Sequence, residues 1–387
     1  MKHIFRVIFA IVALALIGCE EPYYGSTPDT TIHSLGTPPN NEIWFITSGN
    51  RQLDNLDSTA FDSEIIDIEY SDLENNVIRF AESITTIGAG AFDNCRNLVN
   101  ISLPTSVTTI AEKAFFECTG LECITVGNKL RECGYQAFDN CASLYSLHIS
   151  SIGDWCGIEF ANPTANPLYY CGVLTINDKK VNALFIPDWV SRIGDYAFYN
   201  YTVMSSIEIP AKVKSIGKDA FEGCEYLSQV HIEDVAAWSN IEFATASSNP
   251  LSIAESLYLN GQPTTTLSIE DTETIAPRAF YGCTSIATLK TDDKLRTIGE
   301  EAFRGCISIS SVELSSEITE IAGRAFMGCK ALSSVVCNAV TPPSLGDKYV
   351  FDYNADGRKI FVPAESLNTY KEHSDWNRYA DSIEAIE

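Results

Sequence analysis

The chain has 387 residues, 45% of them hydrophobic, which is enough to bury a large core. It carries 26 basic and 51 acidic side chains, a formal net charge of −25. This balance argues against nucleic acid, because phosphate binding needs clustered Lys and Arg, and against lying flat on anionic lipid.

The chain begins with a segment that has the features of a secretory signal. A basic start is followed by an apolar run over residues 7–17, and the tetrapeptide L-I-G-C ends at Cys19. The run is short for a membrane span, which disfavours the alternative of a transmembrane anchor. The tetrapeptide resembles a bacterial lipobox, so residues 1–18 are predicted to be a lipoprotein signal peptide and Cys19 the lipidated first residue. Acyl chains there would anchor the protein firmly, because each buried methylene contributes about 0.8 kcal/mol.

Two segments separate this signal from the regular part of the chain. Residues 19–40 are rich in Pro, Thr and Gly and are predicted to be a flexible tether. Residues 41–80 contain two apolar stretches, 43–46 and 77–80, and we expect them to form an N-terminal cap. A cap is needed because the end of a solenoid exposes unpaired strand edges.

The central part of the chain is a repeat. Ala-Phe pairs recur with successive Phe residues 23 apart, except for gaps of 60 and 59. A period this short predicts a solenoid, in which each unit buries its apolar edge by stacking on its neighbours. Residues 81–338 are therefore predicted to form the solenoid. The repeat Phe residues are Phe92, Phe115, Phe138, Phe198, Phe221, Phe280, Phe303 and Phe326.

Aligned on Phe, the unit reads I-[GA]-x-x-A-F-x-x-C-x-x-[LI]-x-x-[ILV]-x-[ILV]. Its last apolar residues alternate with polar ones, which indicates a strand, and the Ile-Gly segment indicates a second short extended piece. The Ala-Phe segment is interpreted as a tight or short helical turn that places Phe in the core. The position after Ile takes Gly or Ala, which indicates a need for small size rather than for a positive φ. The predicted fold class is a mainly β repeat solenoid, capped at both ends.

Thirteen cysteines in an exported chain would ordinarily suggest a disulfide framework. Seven of them instead follow the repeat Phe by three residues, which predicts one buried thiol per coil. Such a ladder, without a CxxC motif, does not cluster metal ligands, so no metal site is predicted from it. The seven are Cys95, Cys118, Cys141, Cys224, Cys283, Cys306 and Cys329.

Two long units, residues 150–187 and 233–269, interrupt the regular spacing and match each other at an offset of 83 residues. A Trp and an Asn-Pro-Leu run recur in both; local packing of the longer loop is the favoured interpretation and a ligand platform the alternative. Cys156 and Cys171 are present in the first unit, whereas their counterparts in the second are Ser239 and Ala254. This paired loss predicts a Cys156–Cys171 disulfide, with two independent core thiols as the alternative.

Residues 339–387 are predicted to be the C-terminal cap. A strand over residues 360–363 is followed by apolar residues that we interpret as an amphipathic helix closing the solenoid. Residues 352–357 resemble the opening of a calcium loop, but the twelfth position, which needs a bidentate Glu, is Pro363. A polar Asp-Gly turn explains the segment well, and no metal or other cofactor is predicted.

The I-G-x-x-A-F-x-x-C-x-x-L unit is similar to the BspA-type leucine-rich repeats of Bacteroidetes surface proteins. The W-C-x-I-x-F…A-N-P-L stretch of residues 155–168 and the closing stretch of residues 341–380 look like the same family; Tyr201, where Cys is expected, departs from it. The resemblance implies a right-handed leucine-rich-repeat solenoid of short strands on a surface lipoprotein, with adhesion to host matrix proteins, host cells or other bacteria. The family has no shared catalytic residues, so none carry over.

If the apolar strand residues face inward, the residue between the last two faces outward. We call these residues the outward row and predict that they form the binding face; an ordinary solvated face is the alternative. The row mixes polarity and has no aromatic residue, which disfavours glycan capture. It consists of Ser102, Thr125, His148, Glu208, His231, Lys290 and Glu313, with Val336 beyond them.

These patterns predict a non-enzymatic binding protein, and the resemblance implies an adhesion lipoprotein of the outer membrane that is exposed on the cell surface and recognises surface proteins of the host or of bacteria. The chain shows no nucleophile elbow, zinc-protease, P-loop or dinucleotide motif. A periplasm-facing envelope scaffold is the first alternative. A glycan-binding accessory protein or hydrolase is the second.

Overall fold

The computed structural model describes residues 34–49, 51–71 and 75–386. The predicted signal peptide, Cys19 and most of the predicted tether lie outside these residues. The strands, in chain order, are β1 (Glu42–Thr47), β2 (Ile65–Glu69), β3 (Asn76–Phe80), β4 (Thr86–Ile87), β5 (Leu98–Ser102), β6 (Thr109–Ile110), β7 (Cys123–Thr125), β8 (Glu132–Cys133), β9 (Ser146–Ile149), β10 (Glu159–Phe160), β11 (Val173–Ile176), β12 (Lys179–Lys180), β13 (Ala183–Phe185), β14 (Arg192–Ile193), β15 (Ser206–Glu208), β16 (Ser215–Ile216), β17 (Gln229–Ile232), β18 (Glu242–Phe243), β19 (Leu257–Leu259), β20 (Gln262–Pro263), β21 (Thr266–Ile269), β22 (Thr274–Ile275), β23 (Thr288–Thr291), β24 (Thr297–Ile298), β25 (Ser311–Leu314), β26 (Glu320–Ile321), β27 (Ser334–Cys337), β28 (Ser344–Leu345), β29 (Lys359–Val362) and β30 (Ile383–Ala385).

The helices are short and lie in the long units and the C-terminal region. The α-helices are α1 (Ile152–Trp155), α2 (Val235–Ser239), α3 (Leu251–Ala254) and α4 (Leu367–Glu372). The 3₁₀ turns are Pro163–Ala165, Pro167–Tyr169, Ala246–Ser248, Ala364–Ser366 and Asn377–Ser382.

Each repeat contributes one longer strand and one two-residue strand, and equivalent strands of successive repeats pair in parallel. The longer strands form three front sheets, ordered β12-β11-β9-β7-β5-β1-β3-β2, β13-β15-β17-β19-β20 and β21-β23-β25-β27-β29-β30. The two-residue strands other than β12 and β20 form three back sheets, ordered β10-β8-β6-β4, β14-β16-β18 and β22-β24-β26-β28. This arrangement confirms the predicted mainly β repeat solenoid.

The repeat Phe residues form the centre of the core. Phe92, Phe115 and Phe138 are fully buried, and their rings stack at centroid spacings of 5.1 Å with interplanar angles of 3° and 6°. In the last third, Phe303 and Phe326 stack at 5.3 Å and 1°. One ring per coil at one fixed position therefore gives a continuous ladder, which is interrupted only where the long units enter.

The repeat cysteine is buried beside this ladder, and in five coils its thiol also donates a hydrogen bond to the preceding coil. The Cys118 thiol lies 2.9 Å from the carbonyl oxygen of Phe92 in the preceding coil, and the Cys141 thiol lies 3.1 Å from that of Phe115. The same contact is made by Cys224, Cys306 and Cys329. The sequence pattern predicted small buried side chains here, but it did not predict this hydrogen bond between coils.

The small residue after the repeat Ile is required by crowding. A Cβ added to Gly134 would lie 2.5 Å from the backbone nitrogen of Glu112 and 2.7 Å from the carbonyl carbon of Ala111. Gly134 is not among the residues with positive φ, so size rather than backbone conformation limits this position, as the Gly/Ala pattern indicated. The left-handed residues lie elsewhere, two positions before and two after the repeat Phe, for example Lys113 (φ 56°) and Glu117 (φ 55°).

The N-terminal edge of the first front sheet is covered by an antiparallel meander. Strand β1 pairs antiparallel with β3 on one side and with β5 on the other, and β2 pairs with β3. The chain before β1 also packs on the solenoid, because Asn40 accepts a backbone hydrogen bond from Ile84 at 2.9 Å. The predicted tether of residues 19–40 therefore does not extend to residue 40; residues 34–40 lie on the fold.

The C-terminal region differs from the predicted strand and single amphipathic helix. Helix α4 ends at Glu372 and is followed by a 3₁₀ turn, and Ile383 then begins β30, which pairs in parallel with β29. A longer helix is prevented by two long-range contacts: the Trp376 indole donates to the carbonyl oxygen of Pro343 at 2.8 Å, and Ile383 lies opposite Ile360. Trp376 and Ile383 are both buried, and a helix that continued through them would lose these contacts.

Candidate binding face

The outward row is aligned in register across each front sheet. In the first sheet Ser102, Thr125, His148 and Thr175 lie side by side. In the second the order is Phe185, Glu208, His231 and Tyr258. In the third it is Ser268, Lys290, Glu313, Val336, Phe361 and Glu384. Neighbouring members are about 4.8 Å apart, the spacing of paired strands.

The part of the row in the first sheet is not open to solvent. Ser102 is fully buried and His148 is 7% exposed. His148 lies within hydrogen-bonding distance of Thr175 (2.5 Å) and Ser146 (3.2 Å), and Ser102 donates to the carbonyl oxygen of Gly36. The sequence placed both residues on a solvent-facing row; they face away from the core but are covered.

The part of the row in the second sheet carries aromatic side chains. Phe185 is 60% exposed, and the rings of His231 and Tyr258 stack at 4.7 Å. Burial lowers the pKa of His231 below its usual value. The prediction that the row has no aromatic residue is therefore wrong. Phe185 and Tyr258 lie in the long units, which lack the Ala-Phe motif from which the row was assigned.

The part of the row in the third sheet is the most exposed. Lys290 and Glu313 are both exposed and adjacent in register, so a cationic and an anionic group stand side by side. Half-buried Val336 and Phe361 follow, and Glu384 ends the row with a 2.6 Å ion pair to Lys359. An open depression of about 330 Å³ lies between Ser268 and Lys290.

The residues shared by the two long units have structural roles. Trp155 is 2% exposed, and its indole N–H and the side-chain amide of Asn166 both donate to the carbonyl oxygen of Ala197, at 2.8 and 3.1 Å. Trp238 and Asn249 make the same contacts with Ala279, at 2.7 and 3.0 Å. These side chains hold the long unit to the next coil and do not form an exposed ligand platform.

The predicted Cys156–Cys171 disulfide is not formed, since both residues are free, buried thiols. Cys156 follows α1, where its carbonyl accepts a hydrogen bond from Gly194, whereas the Cys171 thiol donates to Pro167 at 3.2 Å. Each thiol thus has its own packing site, and burial raises the pKa of both. The paired difference from Ser239 and Ala254 reflects two separate buried positions, the alternative that the sequence had left open.

The calcium-like segment uses its polar groups within the protein. The Asp352 carboxylate lies 3.4 Å from the Arg378 guanidinium, and the Asn354 side chain accepts from Arg358 and donates to the carbonyl oxygen of Phe326. Over the described residues, no group of three or more His, Cys, Asp or Glu side chains could hold a metal ion. Within the same residues, no helix has the length and apolar character needed to cross a bilayer.

Short parallel strands stacked coil upon coil, each carrying an inward aliphatic ladder, define a leucine-rich-repeat solenoid. Residues 51–162, 175–257 and 251–373 match the BspA type leucine rich repeat region, in six copies. The chain belongs to this family, whose members are typically associated with the cell surface. Leucine-rich-repeat domains generally mediate contacts between proteins.

Solved structures of bacterial leucine-rich-repeat proteins are similar to this chain at low identity. A protein from Bacteroides ovatus is 20% identical, with 83% of this chain and 90% of that chain covered and a TM-score of 0.36. A leucine rich cell surface protein from Faecalibacterium prausnitzii is 19% identical, with 83% and 85% covered and a TM-score of 0.39. The pneumococcal vaccine antigen PcpA is 16% identical, with 78% and 83% covered and a TM-score of 0.36. No curated protein is a match.

Proposed function

We propose that this protein is a non-enzymatic binding lipoprotein of the cell surface, which recognises other proteins through the outward row and is held to the outer membrane by acyl chains on Cys19. The observation that carries the proposal is the register alignment of the row. Side chains on neighbouring strands are held about 4.8 Å apart on a rigid sheet, so recognition does not require ordering of loops.

The chemistry of the exposed row favours a protein partner. Phe185 offers an exposed apolar ring, and the adjacent Lys290 and Glu313 offer charges of both signs. The ring and the charged pair lie on different front sheets, and aromatic and charged side chains are both common in protein–protein contacts. Glycan binding would be favoured by two exposed rings side by side, but Phe185 and Phe361 lie on different sheets and His231 stacks on Tyr258.

The state of the cysteines disfavours thiol-based catalysis. All twelve described cysteines are buried, and burial raises the pKa of Cys123 and Cys224 to about 12, which keeps these thiols protonated and unreactive. The depression at Ser268 and Lys290 is lined by Glu270, Asp271 and Asp292 but is open to solvent, whereas a catalytic site usually encloses its titratable groups.

A matched pair of charge reversals tests the binding face. Glu313 lies on front strand β25 and Glu320 on back strand β26, and both are exposed. Binding of the purified mature chain to an array of matrix and host-cell proteins should be lost or weakened in Glu313→Lys and retained in Glu320→Lys. Equal binding by both variants would show that the front face is not the recognition surface.

Protease shaving of intact cells tests the location. Loss of the intact chain while a periplasmic control protein survives is expected for a surface protein. Protection until lysis would instead favour the periplasm-facing scaffold. Retention of Cys19→Ala in the membrane fraction would contradict lipid anchoring.

A further inference from the structure

Residues 34–40, which we call the strap, cross the outward row of the first front sheet. The Ser34 hydroxyl lies 3.3 Å from the Thr125 hydroxyl, and Ser102 donates to the carbonyl oxygen of Gly36. Ser102 and Thr125 are neighbours in register on β5 and β7, so the strap runs across the strands and not parallel to them.

The strap is fixed firmly at one end only. At its C-terminal end Asn40 accepts from the Ile84 backbone at 2.9 Å and from the Ser106 hydroxyl at 3.3 Å. Among the described residues, the hydrogen bonds that join residues 34–36 to the sheet are the two made by Ser102 and Thr125. Two side-chain hydroxyl contacts hold a segment less strongly than a backbone ladder does, so this part can exchange.

The sheet surface under the strap is suited to an extended chain. Trp44 lies opposite Ser102 in the antiparallel pairing of β1 with β5, and a Cβ added to Gly36 would lie 3.6 Å from its ring. An apolar ring, a hydroxyl donor and a second hydroxyl thus follow one another across three strands. Gly36 has φ of +85°, which a β-branched residue adopts only at a steric cost.

We propose that Trp44, Ser102 and Thr125 form a binding site for an extended, uncharged polypeptide rich in small residues and proline, which the strap occupies in cis. The strap, S-L-G-T-P-P-N, contains no charged residue in a chain that is 20% charged. A partner segment of similar chemistry binds when it displaces residues 34–37, whereas buried Pro38 stays in place. This inference rests on the proposed binding function and adds a class of partner and a site separate from the exposed third sheet.

The test uses the full mature chain and a fluorescent peptide with the strap sequence. Gly36→Val should release the strap, because valine disfavours the left-handed backbone, and should bind the peptide at least about tenfold more tightly than the wild type. Adding Ser102→Ala to Gly36→Val should weaken the binding, and a peptide of the same length with Asp in place of its Thr and Asn should not bind. Unchanged hydrogen-exchange protection of the backbone amides in the second front sheet checks that the variants are folded.

A locked variant gives an independent measurement. Ser34→Cys with Thr125→Cys places two thiols where the hydroxyls are 3.3 Å apart, and the native described cysteines are buried. The oxidised variant should not bind the peptide, and reduction of the same variant should restore binding, to a level lowered by the loss of the Thr125 hydroxyl. Equal peptide binding by the wild type, Gly36→Val and the locked variant overturns the proposal. That result leaves the proposed function standing, because the latter is tested at Glu313.

Discussion

The indole N–H of Trp155 donates to the carbonyl oxygen of Ala197, 2.8 Å away, where an ordinary repeat uses a backbone donor. In such a repeat the Phe115 backbone N–H donates to Ala137 at 2.8 Å, and Ala137 occupies the same repeat position as Ala197. The long unit has no repeat Phe to supply this donor. Its tryptophan supplies one instead, which explains why the residue recurs in both long units.

This contact predicts the effect of Trp155→Phe. The substitution keeps an aromatic ring but removes one of the two side-chain donors to the buried Ala197 carbonyl, so we expect a loss of about 1–3 kcal/mol in the free energy of unfolding. Urea unfolding followed by circular dichroism measures it. Trp189→Phe is the control, since Trp189 is 61% exposed and should change stability by less than about 0.5 kcal/mol. Equal losses would contradict this role of the indole N–H.

The hydroxyl of Ser239 is buried without a hydrogen-bond partner among the described residues. Ser239→Ala should therefore raise the free energy of unfolding by about 1 kcal/mol, because it removes a desolvated polar group. Cys156, its counterpart in the first long unit, occupies the equivalent site as a thiol, so Cys156→Ser should lower stability by a similar amount. Thermal unfolding of both variants checks the pair, and stabilisation by Cys156→Ser would refute the explanation.

The buried thiols predict a loss of stability at alkaline pH. Burial raises the pKa of Cys329 to about 12, against an ordinary value of 9.0. Below pH 9 both states hold the proton and stability is unaffected; above it the unfolded state ionises first, so each such thiol lowers stability by about 1.4 kcal/mol per pH unit. Urea unfolding in reducing buffer between pH 7 and pH 10.5 should show this decline. Cys329→Ser introduces a hydroxyl donor that does not titrate in this range. The free energy of unfolding of this variant should therefore fall less steeply with pH than that of the wild type, by the contribution of one thiol.

We expect substitution of Glu301 to lower the free energy of unfolding more than substitution of the other carboxylates at the surface. Its side chain is 9% exposed and pairs with Arg278 at 3.2 Å, with Arg324 at 3.9 Å and with Arg304. Glu301→Gln leaves these guanidinium groups without their shared anion, and we expect a loss of about 1–3 kcal/mol, reduced because the arginines are partly exposed.

The control for this substitution is Glu117→Gln. Glu117 pairs with Arg96 at 2.9 Å, but both side chains are more exposed, at 32% and 60%. The expected loss is below about 1 kcal/mol. If Glu117→Gln costs as much as Glu301→Gln, the convergence of three arginines on Glu301 does not contribute.

Several features of the core were predictable because they repeat. The Phe ladder, the one thiol per coil and the need for a small residue at Gly134 all follow from one aligned unit. The thiol–carbonyl bond of Cys118 was missed, since a residue pattern carries no information about which group lies across the coil boundary. The split of the predicted C-terminal helix was missed for a related reason: Trp376 and Ile383 are held by Pro343 and Ile360, which are distant in the sequence.

Local periodicity was enough to predict the solenoid, because apolar residues repeated every 23 positions can be buried only by stacking one unit on the next. Periodicity also assigned Ser102 and Glu313 to the same outward row. Whether a residue of that row reaches solvent depends on what crosses the sheet. Ser102 is covered by Gly36, 66 positions earlier in the chain, whereas Glu313 is exposed. The burial of one and the exposure of the other were decided only when distant segments packed together.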